Sequence, residues 1–104
     1  MVSKFFSKLI RSVALRTCRI DESSALIPSS RDEWVYVEGE KEVHIQIERE
    51  RGEFDLVLFE STMLNWKTPN GVVELVASER ARIIDKVVRH LRVKHGYRVR
   101  LVAA

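Results

Sequence analysis

Four apolar residues in succession, Leu56, Val57, Leu58 and Phe59, stand between the carboxylates Asp55 and Glu60. In so short a stretch, apolar side chains without alternation describe a strand covered on both faces. Residues 54–60 are therefore expected at the centre of a sheet, with other elements laid over each side. The segments before it have the pattern of its neighbours. Residues 34–38 (WVYVE) are aromatic and β-branched, and residues 43–49 (VHIQIER) alternate Val43, Ile45 and Ile47 with His44, Gln46 and Glu48. Gly39 and Gly52 supply the turns between them, which predicts a three-stranded antiparallel meander.

Helices are expected on either side of this meander. Over residues 3–16, Phe5, Phe6, Leu9, Ile10 and Val13 recur at helical spacing, with Lys4, Lys8 and Arg11 opposite. This amphipathic helix either docks on the sheet or lies on an anionic membrane surface. Residues 17–32 lose periodicity and collect Ser, Pro and Asp, which reads as an irregular connector pinned by Ala25, Leu26 and Ile27. After the third strand, residues 68–71 (TPNG) have the composition of a tight turn, and 72–76 form a short extended piece. A helix over 78–95 follows, with Ser78 as N-cap and Ile83, Ile84, Val87, Val88 and Leu91 as its apolar stripe; Gly96 ends it. Residues 97–102 alternate as a last strand, Tyr97, Val99 and Leu101 inward, Arg98 and Arg100 outward beside the acidic meander. The sum is an α+β fold, α-β-β-β-α-β, with a four-stranded sheet and the 78–95 helix on one face. At 104 residues this is a single domain: 1–32 the amphipathic helix plus connector, 33–104 the α+β core.

Composition narrows the function classes. Six cations face two acids over residues 1–31, three face ten over 32–60, and eight face two over 78–104. The basic ends and acidic middle can neutralise one another on folding, so a net charge of +3 is weak support for nucleic acid. No apolar run approaches the roughly 18 residues of a membrane span, and Lys8, Arg11 and Arg16 break any signal-peptide core. The single Cys18 fits a reducing compartment, which makes the cytoplasm the expected location. His90 and His95, about 140° apart on a helix, are not expected to converge, so no metal is expected. Neither a Gly-x-Ser-x-Gly elbow nor a Gly-rich phosphate loop is present, and the chain reads as a non-enzyme without a cofactor.

Residues 36–102, about two thirds of the chain, hold a strand pair, an apolar strand leading to Trp66 and Pro69 in a W-x-x-P spacing, Glu74, a helix with Arg82 and Ile83, and a closing strand. In these features the segment resembles the immunity protein family 74 of bacterial polymorphic toxin systems. It implies a small cytoplasmic protein that binds and neutralises a cognate toxin. The expected partner-binding residues are Trp66, Lys67 and Pro69, with Arg82, Lys86 and Arg89 aligned on the polar face of the 78–95 helix. Trp66 either closes the core or anchors a partner; its polar neighbours Asn65, Lys67, Thr68 and Asn70 favour an exposed anchor. Arg82, Lys86 and Arg89 have the spacing of a phosphate-tracking face as well, which makes a nucleic-acid-binding module the alternative, although Asp85 among them and the lack of exposed aromatics favour a solvated face. Peripheral membrane attachment through residues 3–16 is a third reading, and a homo-oligomer covering the second sheet face is a further expected partner.

Overall fold

The computed structural model describes residues 18–103. In chain order the strands are β1 (Cys18–Arg19), β2 (Ser24–Pro28), β3 (Glu33–Glu38), β4 (Lys41–Arg49), β5 (Leu56–Phe59), β6 (Asn65–Thr68), β7 (Gly71–Glu74) and β8 (Val99–Val102). One helix, α1 (Ala77–His95), joins β7 to β8, and a short 3-10 turn (Glu60–Thr62) follows β5.

β4 is the strand to which three others attach. β3 pairs antiparallel along most of it, from Glu38 opposite Lys41 to Glu33 opposite Gln46. On its other edge the C-terminal half takes β5, with Ile47 opposite Leu58, and the N-terminal end takes β6, with Glu42 opposite Lys67. The main path runs β1-β2-β3-β4-β5-β8, and the β6–β7 hairpin branches from β4. All pairs are antiparallel except β5–β8, which is parallel, as a strand returning through a helical crossover must be.

Period-2 alternation on β4 drives Val43, Ile45 and Ile47 to the α1 side, where all three are buried. They meet Leu26 of β2, Tyr36 of β3, Leu56 and Leu58 of β5 and Val99 of β8 in one core. Ile83, Ile84, Val87 and Leu91 of α1 close it, and Met63, Trp66 and Leu75 wall its hairpin end. The alternate residues Ala25, Ile27, Val35, Val37 and Val57 are buried too. Both faces at Leu56, Val57 and Leu58 are thus out of water, as the unbroken apolar run requires.

The α-β-β-β-α-β order is not the architecture found. The described chain forms a mixed sheet of eight strands with one helix, and the helix expected over residues 3–16 lies outside the described residues. The connector holds β1 and β2, because Ala25, Leu26 and Ile27 pair with Val37, Tyr36 and Val35, and this pairing overrides the turn-forming residues on either side. The segment around Trp66 is a hairpin, with Trp66 opposite Val73 and the turn at Pro69 and Asn70. β5 lies between β4 and β8, while the central role falls to β4. Leu101, expected inward, is exposed. At the start of α1 the cap is Val76 without a side-chain hydrogen bond, in place of Ser78. Its end matches expectation: Gly96 is left-handed (φ 68°), its N–H reaches the Arg92 carbonyl, and the Tyr97 N–H reaches that of Leu91.

Because Ile83 is fully buried, Ile83→Ala should cost about 2–5 kcal/mol, whereas Val93→Ala on the exposed side of α1 should stay within about 0.5 kcal/mol. Urea titrations of the two variants check the difference.

Candidate partner-binding surface

The six residues singled out in the sequence fall on two neighbouring elements, the β6–β7 hairpin and α1. Strand alternation places Trp66 inward and Lys67 outward, and this overturns the expectation of an exposed anchor: Trp66 is 2% exposed. Its polar neighbours are the outward and flanking positions of a strand with one buried site. The indole packs against Tyr36, ring centres 6.4 Å apart, and the Lys41 ammonium stands 4.5 Å from its own centre. The indole N–H donates to Glu79 Oε2 at 3.3 Å, tying the hairpin to the first turn of α1. Lys67 and Pro69 remain exposed.

Arg82, Lys86 and Arg89 do line up along α1, and each holds a carboxylate. Arg82 donates twice to Glu38, at 3.0 and 3.2 Å, and lies 3.9 Å from Glu79, so it shares one acid with Trp66. Glu38 also accepts the Tyr36 hydroxyl. Burial opposes the Glu38 charge, but the Arg82 and Tyr36 hydrogen bonds outweigh it and hold the carboxyl below its usual range. Lys86 meets Asp21 in the β1–β2 turn at 2.7 Å, and this bond, with that of Ser24, holds Asp21 well below the usual carboxylate range. Arg89 pairs with Asp85 one turn earlier on its own helix. Arg82 and Lys86 brace α1 against the end of β3 and the β1–β2 turn, and beside them runs a groove of about 480 Å³ between Ile20, Lys86 and Val93.

His90 and His95, not expected to converge, do so: their Nε2 atoms are 3.3 Å apart and the rings meet edge to face. His95 is the last helical residue, where a side chain leaning back toward the N-terminus covers the preceding turn. Burial, then the charges of His95 and Lys94, push the His90 imidazole below its ordinary value. Among the described residues no three His, Cys, Asp or Glu side chains are grouped to hold a metal, and no helix is long and apolar enough to cross a membrane.

The sequence reading missed the apolar surface on the hairpin. Leu64 (59%), Val72 (66%), Val73 (54%) and Val76 (47%) are each exposed, and every residue of β7 faces solvent. Among the described residues β7 pairs only with β6, so its outer edge is open. The signal was the Val72-Val73 pair: adjacent strand positions point to opposite faces, and a strand carrying Val on both needs cover on both. No family model, curated protein or solved structure matches the chain.

As a core residue, Trp66→Ala should cost about 3–5 kcal/mol and lower the melting temperature by more than about 15 °C. Acid should destabilise the protein in two stages. His90 titrates lower in the folded chain than its ordinary 6.5, so the unfolded chain binds the extra proton and stability falls as pH drops below that value. Asp21 and Glu38 are likewise depressed, so their contribution is present above the ordinary carboxylate range and lost as pH falls below it. Urea midpoints from pH 8 to 3 should show His90→Leu without the first loss and Lys86→Met with a shallower second one.

Proposed function

We propose that the chain is a small cytoplasmic binding protein that neutralises a cognate toxin by stoichiometric complex formation, the role that the resemblance over residues 36–102 implies. The observation that carries this reading is the hairpin: Val72 and Val73 are exposed on a strand whose outer edge is open among the described residues, Leu64 and Val76 are exposed just outside the hairpin's two ends, and the buried Trp66 roots it. Open edges are liabilities that folded proteins keep short or cover, and apolar patches beside them mark partner sites. An extended segment of the partner laid along β7 satisfies the free backbone groups and covers Val72 and Val73, with Lys67 and Glu74 as the polar rim. Because the Trp66–Glu79 hydrogen bond and the Leu75 side chain already fix the hairpin on α1, little ordering remains to oppose binding. The nucleic-acid reading draws less from the geometry, since Arg82, Lys86 and Arg89 are each engaged with a carboxylate.

The test is a search for a toxin-like protein encoded beside this one, whose absence rejects the reading, followed by co-expression of the two. The wild-type chain should restore growth and form a 1:1 complex. The double substitution Val72→Lys, Val73→Lys should weaken the complex by at least about 2 kcal/mol, roughly thirtyfold, and abolish rescue, while its melting temperature holds. Absence of rescue by the wild type, or full rescue by the double variant, rejects the reading.

A further inference from the structure

At the far end of β4 from the hairpin, about 23 Å along the strand, the end of the sheet and the C-terminus of α1 enclose a hollow of about 590 Å³, within the range of small-molecule sites. Its walls are aromatic: Trp34 of β3, half buried against the core, and Tyr97, on which His95 stacks with ring centres 6.0 Å apart and planes 21° from parallel. Its charged groups are two guanidinium ions, Arg31 from the β2–β3 turn and Arg49 from the end of β4, with no carboxylate among the lining side chains.

These two arginines, like Arg51 in the adjoining hollow, differ from the arginines of α1 and those in or just before β8. Arg82, Arg89, Arg98 and Arg100 each hold a carboxylate, and Arg80 and Arg92 donate to backbone carbonyls. Arg31 and Arg49 have neither partner among the described residues. The backbone that carries Arg31 is tied down on both sides of it: Ser29 and Ser30 donate to the Glu33 carbonyl, and Ile47 of β4 donates to that of Asp32. Tyr97 is fixed by its N–H on the Leu91 carbonyl. A second hollow of about 560 Å³ shares Arg31, Arg49 and Tyr97 and carries four acids: Asp55 is held by Arg98 and Glu50 faces Arg100, while Asp32 and Glu48 add negative charge without an ion pair among the described residues. The anion-accepting part of the trough is therefore the first hollow.

We propose that this hollow binds a small aromatic anion: a planar ring packed on Trp34 and Tyr97, bearing a phosphate or carboxylate that Arg31 and Arg49 hold. Guanidinium ions match the geometry of both anions and stack on aromatic faces, and aromatic walls reward a flat ring whatever its substituents. The site is independent of the hairpin and does not rest on the toxin-binding reading.

The experiment is an NMR titration that follows the two indole N–H resonances, since Trp66, buried on Glu79, serves as the internal control for Trp34. Probes are adenosine monophosphate and benzoate, with adenosine and inorganic phosphate as the halves. Saturable movement of the Trp34 signal, with Trp66 still and a Kd at or below about 1 mM, is expected for at least one of the two complete probes. Which of them binds identifies the anion as phosphate or carboxylate. The double substitution Arg31→Gln, Arg49→Gln should weaken that binding at least tenfold without lowering the melting temperature, and Trp34→Phe should retain it, read from the Tyr97 ring signals. Failure of both complete probes to saturate, equal binding by inorganic phosphate alone, or unchanged affinity in the arginine double variant overturns the proposal.

Discussion

Alternation along β4 is the constraint on which the other elements depend. Val43, Ile45 and Ile47 are all fully buried on one side, while His44, Gln46 and Glu48 are half exposed on the other. A slip of one residue would exchange the two sets and place an imidazole, an amide and a carboxylate in the core. β3, β5 and β6 all take their register from this strand, so Tyr36, Leu58 and Trp66 reach the same core only when β4 is correctly set. The helix then has one place to go, because its stripe fits the surface those residues make together.

Charge completes the arrangement locally. The acidic stretch 32–60 and the basic stretch 78–104 meet through Glu38 with Arg82, Asp55 with Arg98 and Glu50 with Arg100. Pairs as exposed as these add little stability each, about 0–1 kcal/mol. Their effect is to match particular elements: Asp55 accepts both the backbone N–H and the guanidinium of Arg98, and so sets where β8 enters beside β5. With Lys86 on Asp21 and Arg89 on Asp85, this self-neutralisation explains why a chain with a pI near 9.3 presents no continuous basic face on α1.

What could be read from the sequence followed the strength of the periodic signal. β3, β4 and α1 were legible because each carries several turns or alternations of its period, β5 because its apolar run is unbroken, and the Gly96 stop because a left-handed residue there favours glycine. β2 was missed because Ala25, Leu26 and Ile27 are too few to show a period and become a strand only through Tyr36 and its neighbours. Trp66 was misplaced for a related reason: polar residues around a large aromatic describe a surface loop and an alternating hairpin equally well, and only the partner strand separates them. The pairing of Arg82 with Glu38, 44 residues away, and the meeting of Tyr36 with Trp66 are products of the sheet order, which local pattern does not contain. Of the candidate surface, Lys67 and Pro69 were legible and the exposed valines were not. The apolar count of a strand can be read along the chain, but the number of faces left uncovered depends on what packs beside it.

The parallel pairing of β5 with β8 has a consequence for the order in which the molecule assembles. Every other strand pair joins neighbours in the chain or, for β6 on β4, strands separated by one short strand and a turn, so those contacts form by closing modest loops. Asp55 and Arg98 are 43 residues apart, and the strand that follows each must align in one direction. Loop closure of that length is entropically unfavourable until α1 has seated and carried Gly96 back over the sheet. Until then one side of Leu56–Phe59, the most apolar strand among the described residues, stands open as an unpaired edge. The helix therefore acts as the escort of β8 as well as the lid of the core, and the transient edge it closes is the point at which slow folding would expose the chain to self-association.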